Sequence, residues 1–210
     1  MWRSILYMTN TINGGDMMKR LNELFTISSG VVFKRLEAPP GTSGHEYKII
    51  TLQSINDLGY LEIEYFDEFK SKKEIIGKHI AQIGDIIVRL SYPYTAVNID
   101  KEAQGAIIPS LFAILRPKGK KVISEYASIF LNSDYMKKQY NRDASGSALQ
   151  MIKMSALKNY EVITPTLERQ KSIIEISKLS IKELHLIEAL LEQKKLYHKG
   201  IFQELIKLEG

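Results

Sequence analysis

Residues 166–207 contain no proline and a single glycine, Gly200, and they follow directly on Pro165. Before that proline the chain reads "LKNYEVIT", an alternating run of strand character, and after it comes an unbroken mixture of polar and apolar residues. Thr164 precedes a proline and is pushed into extended geometry, which suits an N-cap. Pro165 suits the first helical position, where no amide donor is missed, and Glu168 falls in the first turn, where the helix dipole favours an acid. The pattern predicts one helix over 165–210, whose stretch from Thr166 to Lys207 alone would be roughly 60 Å long at about 1.5 Å per residue. In heptad terms the a positions are Ile173, Ser180, Ile187, Lys194 and Ile201, and the d positions Ser177, Leu184, Leu191, His198 and Leu205. Six of these ten are apolar, which makes an imperfect coiled-coil seam. So long a stripe exceeds what a domain of this size can cover, so the pattern calls for a partner helix, from a second copy or another subunit. A helix folded back over its own sheet and broken at Gly200 is the alternative.

The preceding residues alternate more than they repeat at helical spacing. "KRLNELFTISSG" reads as a short helix ending near Gly30, and "VVFKRLEAPPGTSGHEYKIITLQSI" as strand, Pro/Gly loop and strand. "GYLEIEYF" alternates with period two, as a half-buried strand does. "KHIAQIGDIIVRLSYPYTAVNI" reads as two strands about a turn at Gly84–Asp85, with "YPY" interrupting the second; "GAIIPSLFAILRPKG" reads as a further pair with Pro109 at a strand start or bulge. "SEYASIFLNSDYMKKQYNR" is helical, and "DASGSALQMIKMSAL" is a loop leading into a short helix. The fold class expected is α+β: a sheet-rich mixed domain over 18–164, then one long C-terminal coiled-coil helix. Residues 1–17 read as a leader, disordered or a product of start-site choice ahead of Met18.

The chain has no cysteine, which excludes a disulfide scaffold and a thiolate zinc site and fits a reducing, cytoplasmic setting. No apolar run approaches the roughly 20 residues of a spanning helix. Net charge is +5, and its distribution is uneven. Residues 116–158 carry nine Lys or Arg against three acids, whereas from Pro165 onward eight bases meet seven acids. The excess lies on the sheet-rich part, where it attracts phosphates.

A catalytic set is hard to find. The four histidines lack metal-ligand spacing, no phosphate-cradling glycine loop is visible, and Ser145 and Ser147 have neither a nucleophile elbow nor a histidine partner. "LSYPYTA" loosely resembles the (N/D/S)-P-P-(Y/F) loop of amino-methyltransferases, but Tyr92 stands where that motif needs its first proline, and no glycine-rich cofactor loop precedes it. Three binding clusters remain. "VRLSYPYT" gathers Arg89, Ser91, Tyr92 and Tyr94; "YNRDASGSALQ" gathers Arg142, Ser145, Ser147 and Gln150; "VVFKR" adds Lys34 and Arg35. Arginine reads guanine edges or phosphate, glutamine reads adenine, and serine and tyrosine donate to phosphate or base. Each cluster alone is more often a solvated loop; three together in one basic domain, with no catalytic set, point to DNA.

The order of several segments resembles the specificity (S) subunits of type I restriction–modification systems, from about Met18 to Gly210. "TPTLERQKSIIEI" resembles the family's P-x-L-x-E-Q-x-x-I lead into its conserved-region helix, matching at Pro165, Leu167, Gln170 and Ile173, with Arg169 in place of the usual acid. "QKKLYHKGIFQELI" resembles the end of that helix, and "IGDIIVRLSYPYTAV", "IIPSLFAILRP", "FLNSDYMKKQY" and "SGSALQMIKMSALKNYEV" resemble the target-recognition domain. The resemblance implies a non-catalytic subunit that reads half of a bipartite site in double-stranded DNA. Its helix would act as a spacer and dock adenine-methylating M subunits, with an R subunit in the full complex. S-adenosylmethionine, ATP and Mg would sit on those partners, with no cofactor here. One recognition domain and one helix make a half-length form, which would dimerise through Ile173, Leu184, Ile187, Leu191, Ile201 and Leu205. The rival reading is a coiled-coil oligomerisation adaptor whose basic domain binds a protein.

Overall fold

The computed structural model describes residues 17–144 and 150–208. Two compact units divide at Lys171/Ser172. The first is built on a four-stranded antiparallel sheet in the order β2 (Phe25–Ser29), β7 (Phe112–Pro117), β5 (Ile86–Arg89), β6 (Ala96–Asn98). β5 and β7 are central, and their runs Ile86-Ile87-Val88 and Phe112-Ala113-Ile114-Leu115 are buried on both faces, which is why they read as continuous apolar stretches. Ile87, Phe112 and Ile114 pack with Ile50, Ile99 and Ile108 in the main core. A smaller core gathers Ile49, Phe69, Ile75 and Ile107 beside the hairpin of β3 (His45–Ile49) and β4 (Asp67–Ser71). Consecutive residues point to opposite sides of an extended chain. Thus Ile49 and Ile107 serve the small core while Ile50 and Ile108 serve the large one. Gly30, just after β2, passes so close to the 108–109 backbone that a Cβ there would lie 2.0 Å from the Pro109 carbonyl oxygen.

The amino-terminal helix of the sequence reading is a single turn, α1 (Leu21–Leu24), between β2 and the strand β1 (Met17–Arg20). β1 pairs antiparallel with β8 (Glu161–Thr164), so Met17 belongs to the folded unit rather than to a leader; residues 1–16 lie outside the described residues. "GYLEIEYF" forms no strand. Its residues 63–65 make a 3-10 turn, and its pairing is a single bridge of Leu61 to Ile55 within a tight local loop, where the Asn56 amide donates to the Tyr60 carbonyl (3.0 Å), the Glu62 amide to the Ser54 carbonyl (2.9 Å) and the Thr51 hydroxyl to the Tyr65 carbonyl (2.8 Å). Val31–Arg35 likewise holds a bridge and a 3-10 turn instead of a strand. The turn at Gly84–Asp85 is real, but only β5 flanks it, and "YPY" connects β5 to β6 rather than interrupting a strand. "GAIIPSLFAILRPKG" gives one strand, β7, preceded by bridges at Ile107 and Pro109.

The helical stretch after residue 123 is two helices, α2 (Ser124–Leu131) and α3 (Asp134–Ala144). Between them Asn132 turns its side chain onto the sheet's edge. Its Oδ1 accepts from the Ala96 amide (2.8 Å) and its Nδ2 donates to the Ala96 carbonyl (2.7 Å), which closes the free side of β6 as a further strand would. A short helix, α4 (Met154–Asn159), leads into β8.

The long helix α5 spans Leu167–Leu208, 42 residues. Its start is displaced from the expected position. Thr166, not Thr164, is the cap: its hydroxyl accepts from the Arg169 amide (3.4 Å), and its carbonyl accepts the first helical bond from Gln170 (3.0 Å). Thr164 instead donates to the Met17 carbonyl (2.6 Å) across the β1–β8 pair. Pro165 therefore precedes the helix. Gln170, 0% exposed, satisfies its whole amide: Nε2 donates to the Pro165 (2.8 Å) and Lys121 (3.2 Å) carbonyls, and Oε1 accepts from the Ile123 amide (2.8 Å). In the second unit Ile187, Leu191 and Ile201 are exposed and Ile173 and Leu184 half-buried. The Leu205 side chain lies outside the described ones. Among the described residues no helix is long and apolar enough to cross a membrane.

Candidate nucleic-acid interface

Two of the three sequence clusters meet. The β5–β6 connection, Ser91-Tyr92-Pro93-Tyr94, closes on a bond from the Tyr94 amide to the Ser91 carbonyl (2.9 Å), and its Tyr92–Pro93 peptide is cis. Segment 150–152 runs antiparallel beside it: Ser91 bridges Met151, and the Ile152 amide donates to the Leu90 carbonyl (2.8 Å). Tyr94 is the cross-link. Its backbone takes φ +58°, a left-handed conformation that non-glycine residues seldom adopt, and this aims the ring inward. The side chain is 2% exposed, and its hydroxyl donates to the Gln150 carbonyl (2.9 Å). Burial pushes the phenol's pKa up, so it keeps that proton. Tyr94 therefore cannot offer its side chain to a duplex, which corrects the sequence reading; it holds two loops together.

What the pair exposes is Tyr92, 67% exposed, with the Gln150 side chain on the neighbouring segment, itself at φ +48°. Arg89 is half-buried, and its Nε donates to Ser91 Oγ (3.2 Å). That bond fixes the guanidinium plane and leaves the terminal nitrogens without a partner among the described residues. Such a preset fork suits a guanine edge or a phosphate.

Beneath the turn, Tyr94 packs on Tyr140 (centroids 5.7 Å apart), and Tyr140 on Tyr160 (5.3 Å). The Tyr160 hydroxyl donates to Asp143 Oδ2 (2.6 Å); burial first, then that bond, drives its pKa far up. Arg142, on the exposed side of α3, donates to Gln139 Oε1 (2.8 Å). Ser145 and Ser147 lie outside the described residues. Lys34 and Arg35 sit elsewhere in the unit, exposed on the 3-10 turn 33–36, where Lys34 lines an open groove with Glu37, Pro39, Pro40, Gly41 and Lys70.

The basic excess of residues 116–158 is partly internal. Arg116 is bound side-on to Asp85, Nε to Oδ1 at 2.8 Å and Nη2 to Oδ2 at 2.7 Å, and that hydrogen bond raises its already high pKa. Lys118 donates to the Asn22 carbonyl (2.6 Å), and Lys137 to the Pro93 carbonyl. Three of the nine bases are thus tied to groups on other segments of the fold, and a fourth, Arg142, to Gln139 on its own helix. Lys137, half-buried, was legible in the sequence only as one more surface lysine. Among the described residues no three His, Asp or Glu are grouped as a metal site would need.

The first unit is thus an α+β domain whose sheet carries a doubly anchored, aromatic-tipped loop. A family model for the type I restriction modification DNA specificity domain matches residues 14–194, and the chain belongs to that family. Its fold is similar to that of the HsdS subunit from Thermoanaerobacter tengcongensis, with a TM-score of 0.66 at 14% identity over 86% of this chain and 45% of that one. A structure described under complex assembly and conformational transition of the type I R-M system gives 0.61 at 15% identity, over 89% of this chain and 44% of that one. The S subunit from M. genitalium gives 0.52 at 11%, over 91% and 44%. The chain thus spans less than half the length of each of these matched chains. No curated protein matches it.

Proposed function

We propose that this chain reads one half of a bipartite sequence in double-stranded DNA for an adenine-methylating type I complex, and that it performs no chemistry itself. The observation that carries the reading is the cross-linked pair of loops 89–94 and 150–152, set on the fold of a specificity-domain family. Arg89 and Gln150 supply the donor and acceptor sets that distinguish base edges, and Tyr92 supplies an aromatic face and a hydroxyl. S-adenosylmethionine, ATP and Mg belong on the M and R subunits, and α5 serves as spacer and M-subunit dock. A second copy, paired along the exposed stripe of α5, would complete the pseudo-symmetric reader and favour a symmetric interrupted site.

Arg89→Ala or Tyr92→Ala should each lower methylation of the cognate site by the assembled enzyme about tenfold, within the about 1–3 kcal/mol of a good base contact. Melting temperature should hold for Tyr92→Ala, whose side chain stands exposed on the turn, and fall slightly for Arg89→Ala, which gives up the bond to Ser91 at the end of β5. Unchanged methylation in both variants would remove this loop from the interface. Adenine methylation by the purified chain with S-adenosylmethionine alone would overturn the non-catalytic reading. DNA binding that ignores salt would favour the adaptor reading, because phosphate neutralisation must show a salt slope. Leu184→Asp with Leu191→Asp should convert a two-chain species to single chains in light scattering; an unchanged mass would show that the stripe does not pair copies.

A further inference from the structure

We infer that Lys137 is a positioning residue for sequence discrimination: from α3 it clamps the Pro93 carbonyl and so fixes the exposed Tyr92–Pro93 turn. The inference rests on the DNA-reading function proposed above and names a residue that makes no contact with DNA itself. Lys137 and Tyr140 lie three apart on α3 and so share a face. Both face the turn, Lys137 through its ammonium group on the Pro93 carbonyl and Tyr140 through its ring against Tyr94. Tyr94 holds the other side through Gln150. The turn is therefore gripped at successive residues, 93 and 94, from two different elements, and only Tyr92 stands clear. A lysine is an expensive choice for a purely structural clamp. Burial pushes its pKa down to about 8, against the opposing pull of Asp57, so the ammonium is held at a desolvation cost that a surface lysine would not bear. Such an arrangement makes sense where the placement of the turn matters more than stability.

The test uses the full chain co-purified with its methyltransferase subunit. A pool of duplexes with a randomised core is selected on the wild-type complex, and the enriched duplex is then competed against an unrelated one. K137M should lower the ratio of specific to non-specific affinity at least about tenfold, with the salt slope of non-specific binding unchanged. K137R, which retains a donor, should keep the ratio within about threefold. If K137M is too unstable, K137Q, polar but too short to reach the carbonyl, takes its place with the same expectation. A salt slope reduced by about one, with both duplexes weakened equally, would instead make Lys137 a phosphate contact and overturn the inference. An unchanged ratio would overturn it as well. Failure of the wild-type complex to enrich any sequence would overturn the DNA-reading function itself, a separate outcome.

Discussion

Asp85→Ala should lower the free energy of unfolding by about 3 kcal/mol, a large share of the about 5–15 kcal/mol that holds a domain together. The Asp85 side chain is 1% exposed and accepts three bonds, two from Arg116 and one from the Gln82 amide (3.0 Å). Removing it strands a guanidinium that keeps only the Ile80 carbonyl (3.2 Å), together with an amide at the Gly84 turn. Arg116 is 28% exposed, so water reaches part of it, which puts the cost at the lower end of the about 3–5 kcal/mol seen when a buried pair loses one member. Asp85→Leu combined with Arg116→Met should be less destabilising than Asp85→Ala alone, because no buried charge is then left unpaired. Urea titration of the three proteins checks the order. If the double variant proves the least stable, the pair contributes net attraction beyond its desolvation cost.

The parts of the fold legible in the sequence are those whose cause is local. The β-branched run of β5, the continuous apolar run of β7 and the proline-free composition of α5 each announce one element. The misreadings arise where distant residues decide. Thr164 looks like a cap until its hydroxyl is seen to bond Met17, 147 residues away, which leaves the cap to Thr166. "GYLEIEYF" has the right alternation, yet the backbone of residues 54–56 and the Thr51 hydroxyl meet its polar groups within one tight loop, so no longer strand pairing forms. The site behaves likewise. Both loops were visible as separate clusters, but the Tyr94–Gln150 bond spans 56 residues, and no periodicity connects them. Nothing in "SYPY" distinguishes its two tyrosines; the left-handed backbone at Tyr94 alone sends one inward and leaves Tyr92 in solvent. Counting charges treated Arg116 and Lys137 as surface cations, whereas both are held by polar groups on other elements.

Gln170→Ala should cost about 3–5 kcal/mol, and Gln170→Glu should be as damaging near neutral pH but less so in acid. The alanine variant leaves the Ile123 amide and the Lys121 and Pro165 carbonyls unpaired around a small cavity, at about 1–3 kcal/mol for each group that water cannot reach. Glutamate has the shape of glutamine and can still accept from Ile123. Its second oxygen, however, meets two carbonyl oxygens where the native amide placed two N–H groups, and the site admits no solvent. A buried carboxylate so placed takes up a proton more readily than in the unfolded chain, so its folded pKa is raised. The sign follows from linkage. Below the unfolded carboxyl pKa, about 4.3, both states are protonated and the penalty of ionisation vanishes; it grows as pH rises through the folded pKa. Urea midpoints of wild type and Gln170→Glu should therefore converge between about pH 7 and pH 4.5, while those of wild type and Gln170→Ala stay apart. A gap that is constant with pH would mean that water or a shifted backbone solvates the carboxylate, and that the Gln170 amide is not what fastens the first turn of α5 to the segment before α2.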